Sequence, residues 1–254
     1  MDCSYVIRCL EDLSPRQYAE KWDNVGLLVG RDDKEVNTVY VALDATDEVI
    51  DAAIECEADM LITHHPMIIS AIKSVTADDF IGRRILKLAK YDISYYAMHT
   101  NFDVMGMADA AADELGLKRR QVLDVTYEDG ISKEGCGRYG YLPVKMTLFE
   151  CAELVKRVFN IPNVRVYGEL DTMIEDVAIL PGSGGSFISN ALQLGADVMI
   201  TGDIDHHEAI DAVAQGIAII DAGHYGLEKL FIPYMYEYLS RELSGVALYK
   251  AKVK

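Results

Sequence analysis

The stretch Ile62-Thr63-His64-His65-Pro66 is the strongest indication of the fold in this sequence. The apolar run Met60-Leu61-Ile62 leads into it and is typical of a buried strand. Pro66 follows the two histidines and indicates that the strand has ended. Two imidazoles therefore come directly after a buried strand. Because ligands in open α/β sheets bind at the carboxyl ends of strands, this stretch predicts both an α/β fold and a functional site.

The histidines of this chain occur in a few polar clusters, and nearly every cluster follows an apolar run. Besides His64 and His65 they are His99, His206, His207 and His224. The clusters also contain the carboxylates Asp103, Asp203, Asp205 and Glu228. Mixed imidazole and carboxylate ligands without thiolate are typical of Zn, Mn, Fe(II), Co or Ni sites. Any one cluster could consist of hydrogen-bonded turn histidines, but all of them together favour a metal site.

The composition argues against several classes of protein. Half of the 254 residues are hydrophobic, which is enough for a sizeable core, and 41 acidic against 24 basic residues give a formal charge of −17. Such a charge repels nucleic-acid backbones at long range, so we do not expect a nucleic-acid partner. Five cysteines without a CxxC pair argue against a disulfide framework or a thiolate zinc site. Because no leader pattern and no apolar run of membrane-spanning length occurs, we expect a soluble cytoplasmic protein without a membrane partner.

Strand and helix patterns alternate along most of the chain. In the first half the predicted strands are 39–44, 60–63 and 93–98, with helices at 4–13, 47–54, 77–90 and 107–115. In the second half the predicted strands are 164–167, 177–180, 198–200, 218–220 and 246–249, with helices at 147–159, 186–194, 206–215 and 225–243. Residues 121–145 differ, because glycine-rich turns there separate short strands. Alternation of this kind predicts parallel sheets that are covered by helices on both faces.

An internal similarity connects the two halves. Residues 58–65 (ADMLITHH) match residues 196–203 (ADVMITGD), and the strands before and after them lie at similar offsets. We therefore predict an α/β fold of two related three-layer α/β units, with the site at facing strand ends. The first unit is expected to comprise residues 1–120 plus 221–254 and to carry most metal ligands, and the second residues 121–220. The alternative is a chance match, since strand–turn patterns of this kind recur.

The spacing of the candidate ligands favours two ions over one. Adjacent side chains on an extended strand point to opposite faces, so His64 and His65 could share one ion only if the backbone turns sharply, and they suit two neighbouring ions better, with one imidazole each. His224 and Glu228 are four residues apart at the start of a helix and project from one face. Asp103 supplies a further carboxylate oxygen, and a carboxylate such as Glu228 can bridge two cations. A pair of ions can activate a water molecule and hold the oxygen that it attacks.

Three further stretches have a functional and a structural interpretation that both stay open. Gly182-Ser183-Gly184-Gly185 lies between a strand and a helix, where its backbone N–H groups could bind a phosphate or where it could form an ordinary turn. His206 and His207 open a helix, and they either face the site or are solvated. Trp22, the only tryptophan, is either a core anchor or part of the rim of the site.

At these residues the chain resembles the Ngg-one-interacting-factor-three-like family, hexameric proteins with a dinuclear metal centre that are often called GTP cyclohydrolase I type 2 homologues. The resemblance rests on stretches that occur in one order along the chain: Trp22-Asp23-Asn24-Val25-Gly26-Leu27, Thr63-His64-His65-Pro66, His99-Thr100-Asn101-Phe102-Asp103, Pro181-Gly182-Ser183-Gly184, Thr201-Gly202-Asp203 with His206-His207, and Gly223-His224-Tyr225 with Glu228. It implies metal ligands at His64, His65, Asp103, His224 and Glu228, with Glu228 bridging two divalent ions per chain. It also implies a homohexameric ring, a trimer of dimers, and a short form that lacks the middle insertion of longer members.

The residues and the resemblance together predict a dinuclear-metal-dependent hydrolase that acts on a nucleotide or another phosphorylated small molecule. His99, or His206 and His207, would move protons in this reaction. The family's usual name would make the reaction a GTP cyclohydrolase-type ring opening, although no residue pattern specifies guanine. The alternative is a non-catalytic metal-binding ring protein that handles metal or serves as a scaffold for a partner or nucleic acid.

Overall fold

The computed structural model describes residues 1–253, which divide into two compact units. The first unit comprises Met1–Phe102 and residues 231–253, and the second comprises Asp103–Leu230. The predicted boundaries at residues 120 and 221 instead place 103–120 and 221–230 in the first unit. These segments belong to the second unit because apolar side chains from both are buried in its core. The side chains are Ala111, Ala112, Leu115, Leu117, Ala222 and Leu227.

The first unit is built on a five-stranded sheet. Its strands are β1 (Gly26–Val29), β2 (Thr38–Ala42), β3 (Met60–Thr63), β4 (Ser94–Ala97) and β11 (Ala247–Lys250), and its helices are α1 (Cys3–Leu13), α2 (Asp47–Glu55), α3 (Phe80–Lys90), α4 (Thr100–Phe102) and α10 (Phe231–Glu242), with a 3-10 turn at Arg16–Tyr18. The strand order is β1-β4-β3-β2-β11. β1 is antiparallel to β4, whereas the other three pairs are parallel.

Local sequence explains where these elements begin and why β3 is central. Thr46 caps α2, and its hydroxyl accepts the backbone N–H of Val49 at 3.2 Å. All four residues of β3 are buried, as expected of a parallel strand with neighbours on both sides. Leu61 of this strand packs in a core with Ile50 and Tyr95. The histidines that follow β3 therefore start from a firmly packed strand.

The second unit is built on a six-stranded mixed sheet. Its strands are β5 (Lys118–Glu128), β6 (Lys133–Thr147), β7 (Arg165–Tyr167), β8 (Met173–Ser183), β9 (Val198–Gly202) and β10 (Ala218–Asp221), and its helices are α5 (Ala108–Glu114), α6 (Leu148–Val158), α7 (Ile188–Leu194), α8 (His206–Ala214) and α9 (His224–Glu228), with a π-helical turn at Asp103–Met107 and a 3-10 turn at Gly185–Phe187. The strand order is β5-β6-β8-β9-β10-β7. The pairs β8–β9 and β9–β10 are parallel, and the remaining pairs are antiparallel.

The α/β class is confirmed, and the prediction of parallel sheets holds for only part of each sheet. Both sheets are mixed, because β1 and β7 join them as antiparallel edge strands. Residues 121–145 belong to two long antiparallel strands rather than to several short ones. Asp129 closes the hairpin between them, since its Oδ1 accepts the N–H groups of Ile131 and Ser132 at 2.8 and 2.9 Å.

The long helix predicted at 225–243 is two helices, α9 and α10. Pro233 is the third residue of α10, a first-turn position where its missing N–H is tolerated. In one continuous helix, the ring of Pro233 would clash with the carbonyl of Lys229. The helix therefore ends at Glu228 and restarts at Phe231. Among residues 1–253, none of the helices combines the length and the apolar surface needed to cross a bilayer.

The internal similarity of the sequence is a structural repeat. The order α1-β1-β2-α2-β3-α3-β4 recurs as α6-β7-β8-α7-β9-α8-β10. Asp59, just before β3, accepts two backbone N–H groups at the start of β2 through Oδ2, at 2.7 and 3.0 Å. Asp197, just before β9, accepts two from the first half of β8 at 2.8 and 3.0 Å. Because the same clamp fixes the register of both strand pairs, the prediction of two related α/β units is confirmed.

Candidate metal centre

The first unit brings His64, His65 and His99 together. His64 and His65 directly follow β3, and His99 follows β4, the parallel neighbour of β3. The carboxyl ends of neighbouring parallel strands lie at the same edge of a sheet, which explains the cluster. One nitrogen of each ring lies within 4.8 Å of the other two, and the ring centroids are 4.8, 5.2 and 5.5 Å apart. A group of this kind could hold a metal ion.

Hydrogen-bond acceptors fix the orientation of His64 and His65. The Nδ1 of His64 is 2.8 Å from the carbonyl oxygen of Met98, and the Nδ1 of His65 is 2.8 Å from Asp44 Oδ1. A carbonyl can only accept, so the Nδ1 of His64 donates, and the Asp44 carboxylate favours the same tautomer of His65. The lone pair of each neutral ring is then on Nε2. Metal-ligating histidines adopt this arrangement, with the other ring nitrogen bonded to a carbonyl or a carboxylate.

His99 is held in the same way by Asp23. Its Nδ1 is 2.9 Å from Asp23 Oδ1, and the other carboxylate oxygen accepts the backbone N–H and the hydroxyl of Thr100 at 3.0 and 2.5 Å. Burial alone would raise the pKa of Asp23, but the hydrogen bonds from His99 and Thr100 lower this pKa to about 2. Asp23 is therefore ionised at neutral pH, and its carboxylate is an acceptor for an N–H at Nδ1 of His99.

The second unit has its own group of donors around His224. At the start of α9, His224 Nε2 is 2.9 Å from Glu228 Oε2, which confirms that the two side chains share one helix face. Asp203 Oδ2 lies 2.7 Å from His224 Nδ1 and accepts the hydroxyl of Ser183 at 2.8 Å. Burial would raise the pKa of Asp203, but its bonds to His224 and Ser183 lower it. The Glu228 side chain is almost fully buried, and a buried carboxylate needs a proton or a cation beside it.

Asp103 opens the π-helical turn of the second unit, and Arg138 holds that turn in place. Arg138 is buried, and it pairs with both carboxylate oxygens of Asp109 at 2.7 and 2.8 Å. Its guanidinium also reaches the carbonyl of Val104, next to Asp103, at 3.4 Å. π-helical turns occur frequently at functional sites. The sequence did not mark Arg138, because an arginine within a glycine-rich strand gives no sign that it will be buried.

The glycines of residues 182–185 make room for neighbouring side chains. A Cβ atom on Gly182 would lie 2.6 Å from Glu228 Oε1, and one on Gly184 would lie 2.1 Å from Thr201 Oγ1. The N–H of Gly184 is bonded to the carbonyl of Gly202 at 3.3 Å. The phosphate-binding role assigned to Gly182, Ser183, Gly184 and Gly185 therefore stays a prediction, and close packing already accounts for the glycines.

His206 and His207 lie at the start of α8, where both are exposed. Their rings contact each other, with centroids 5.3 Å apart. Asp205 and Glu208 form a capping box around them, so the cluster also has a structural explanation as a helix start. Their catalytic role stays a prediction.

Trp22 is not a core anchor, because 61% of its surface is exposed. Its ring stands edge-to-face against His99, with centroids 5.9 Å apart. Of the two interpretations of this residue, the structure supports a position beside the histidine cluster.

The contact between Gly182 and Glu228 gives a first prediction. Gly182→Ala places a Cβ against the Glu228 carboxylate and also strains the backbone, because φ at Gly182 is +83°. We expect metal affinity, measured by competition with a chromophoric chelator, to fall about 10- to 100-fold. Gly195→Ala is the matched control, since φ is +82° there and nothing lies within 4 Å of the added Cβ. Equal losses of affinity in both variants would mean that backbone strain, and not Glu228, is responsible.

These features define a class of protein, an α/β protein with candidate metal-binding groups of histidine and carboxylate. The chain belongs to the Duf34/NIF3 (NGG1p interacting factor 3) family, whose sequence profile matches residues 1–254. It is 37% identical over 230 residues to the GTP cyclohydrolase 1 type 2 homolog of Clostridium perfringens, covering 90% of this chain and 87% of that protein. The homolog of Clostridium acetobutylicum is 37% identical over 243 residues, covering 95% and 88%.

Solved structures agree with the family assignment. A Bacillus cereus protein related to NIF3 has a TM-score of 0.90 at 26% identity, covering 100% of this chain and 97% of that chain. A Staphylococcus aureus hypothetical protein has a TM-score of 0.89 at 32% identity with the same coverage. The Bacillus subtilis homolog aligns over 346 positions while covering 95% of this chain, so it contains residues that this 254-residue chain lacks. The prediction of a short family form is confirmed.

Proposed function

We propose that this protein is a dinuclear-metal-dependent hydrolase that acts on a nucleotide or another phosphorylated small molecule. The proposed ligands of two divalent ions are His64, His65, Asp103, His224 and Glu228. The observation that carries the proposal is the orientation of the histidines, because an acceptor holds the Nδ1 of each ring and leaves the lone pair on Nε2. Imidazole and carboxylate donors of this kind fit Zn, Mn, Fe, Co or Ni.

When bound, such ions would lower the pKa of water and polarise the bond to be hydrolysed. The protein's own contribution to proton transfer is assigned to His99. Its Nε2 would take or give a proton, while Asp23 stabilises the charged ring through Nδ1. This pairing supports His99 over His206 and His207 for the role, since the latter two have no comparable carboxylate partner among the bonds of the described residues.

The name shared by the clostridial relatives supports a more specific reaction, the hydrolytic opening of the imidazole ring of guanine in GTP. The test is turnover by protein supplied with each metal in turn, using GTP, other nucleotides and simple phosphoesters. Ring opening adds one water to the nucleotide and removes the purine absorbance, so mass spectrometry and ultraviolet spectra both detect it. Metal-dependent turnover of at least one compound is expected. Tight metal binding without any turnover would favour the non-catalytic alternative, a protein that handles metal.

The proposed assembly is a homohexameric ring made from three dimers. In the first unit, the segment after His65 exposes the apolar side chains Ile69, Ile72, Val75 and Phe80, which supports an interface with other copies. Light scattering is expected to give six times the chain mass of 28.2 kDa. A mass near 28.2 kDa at micromolar concentration would contradict this prediction.

A further inference from the structure

The exposed ring of Trp22 stands out among the apolar side chains at the surface of the first unit. Single exposed apolar residues are common and need no explanation. Trp22 differs because it is in contact with the ring of His99, which belongs to the histidine cluster. An indole with 61% of its residue surface exposed beside a candidate catalytic group leaves a large apolar area open to any molecule that enters.

The backbone around Trp22 is fixed from both sides. Asp23, the next residue, has a side chain that is fully buried and bonded to His99 and Thr100. On the other side, the N–H of Glu20 donates to the hydroxyl of Thr100 at 2.9 Å. Asn24 donates its side-chain amide to the carbonyl of Ile68 at 2.6 Å, in the segment that follows His65. The turn that carries the indole is therefore tied to the same two strand ends as the histidines.

We propose that Trp22 is the stacking platform for the substrate, which is therefore a small molecule with a planar heteroaromatic ring, such as a nucleotide. The inference rests on the proposed hydrolase function and narrows its substrate class. Indole faces stack on all nucleobases, so this contact selects aromatic character and not one particular base. A heterocycle that stacks on the indole lies beside the histidine cluster, where its reacting bond can be presented. Because the turn is already fixed, little conformational entropy is lost on binding.

Trp22 is the only tryptophan of the chain, so its fluorescence reports the binding of a ligand at this position. Zinc-loaded protein is titrated with guanosine and adenosine monophosphates, flavin mononucleotide and nicotinamide mononucleotide, and with ribose 5-phosphate as a control that lacks the ring. We expect saturable quenching of Trp22 fluorescence by at least one heterocyclic probe, and protection of the indole from acrylamide by that probe. Ribose 5-phosphate is expected to do neither. If none of the four heterocyclic probes changes the fluorescence, the proposal is overturned.

Variants then distinguish a loss of stacking from a general loss of structure. Calorimetry with the quenching probe is expected to show an affinity about 5- to 150-fold lower for Trp22→Ala, while Trp22→Phe keeps most of the affinity. Tyr91→Ala is the matched control, because Tyr91 is an exposed aromatic residue that precedes β4, whereas His99 follows it. Its affinity is expected to be unchanged. Equal affinities for wild type and Trp22→Ala would overturn the stacking role.

These measurements distinguish a failure of the stacking platform from a failure of the hydrolase proposal. Binding of a heterocyclic probe that calorimetry shows to be weakened in Trp22→Ala supports the platform even if no probe is turned over, and the hydrolase proposal then fails alone. Metal-dependent turnover of a nucleotide with an unchanged KM in Trp22→Ala gives the opposite result: the hydrolase proposal holds, and the platform is wrong.

Discussion

Glu228→Gln is expected to remove both metal ions from the protein together. Glutamine keeps the size of the side chain but loses the negative charge, and an amide cannot bridge two cations as a carboxylate does. The side chain is almost fully buried and 2.9 Å from His224 Nε2, so solvent cannot replace the lost charge. Removing an outer hydrogen-bond partner of a metal ligand typically lowers metal affinity about 10- to 100-fold. We expect Glu228→Gln to lower metal affinity by more than this.

Elemental analysis of the dialysed variant measures this effect, with Glu153→Gln as the control. Glu153 lies on α6 of the same unit, is half-exposed and pairs with Lys156, so its neutralisation should leave the metal content unchanged. His64→Ala and His65→Ala are each expected to weaken mainly one ion. A Glu228→Gln protein that still holds one ion as tightly as the wild type would contradict the bridging role.

The second large effect is expected at His99. His99→Gln should lower turnover of an identified substrate by about 10²- to 10⁴-fold, because it removes the group proposed to move a proton. Both ions are expected to remain bound. Asp23→Asn should reduce the rate in the same direction but less, since the ring stays in place while its charged form loses its partner. Rate constants and metal content are measured on the same preparations, and circular dichroism checks that each variant is folded.

Three results would contradict the proposed proton-transfer role of His99, and each points to a different explanation. If His99→Gln empties the site under saturating metal, His99 is itself a ligand, which its position within 4.8 Å of His64 and His65 allows. If His206→Ala or His207→Ala loses the activity instead, the proton is moved from the start of α8. Full activity in all three variants would show that none of these histidines has the proton role.

Much of the fold followed from local patterns in the sequence. The strand before His64 and the helix that begins after Thr46 are encoded by adjacent residues, and both elements lie as predicted. The match between residues 58–65 and 196–203 revealed the repeat, because Asp59 and Asp197 perform the same backbone clamp. A local sequence pattern predicts a helix or strand correctly when neighbouring residues are enough to determine that element.

What could not be predicted depends on partners far apart in the chain. Asp44 and Asp23 orient His65 and His99 across 21 and 76 residues, and no local pattern links either pair. The burial of Arg138 follows from its pairing with Asp109, 29 residues away. The boundaries between the two units also differ from the predicted ones. They depend on which core buries the apolar side chains of 103–120 and 221–230, and not on the alternation of strands and helices along the sequence.

The central claim is that these histidines and carboxylates hold two divalent ions, and the metal content of the wild-type protein tests it most directly. Protein purified without chelator and reconstituted with zinc or manganese is dialysed and analysed for metal per chain. Five ligands without thiolate, two of them adjacent histidines, exceed what one four-coordinate ion with an open position can use. Two ions per chain are expected. One ion or fewer after reconstitution would contradict it.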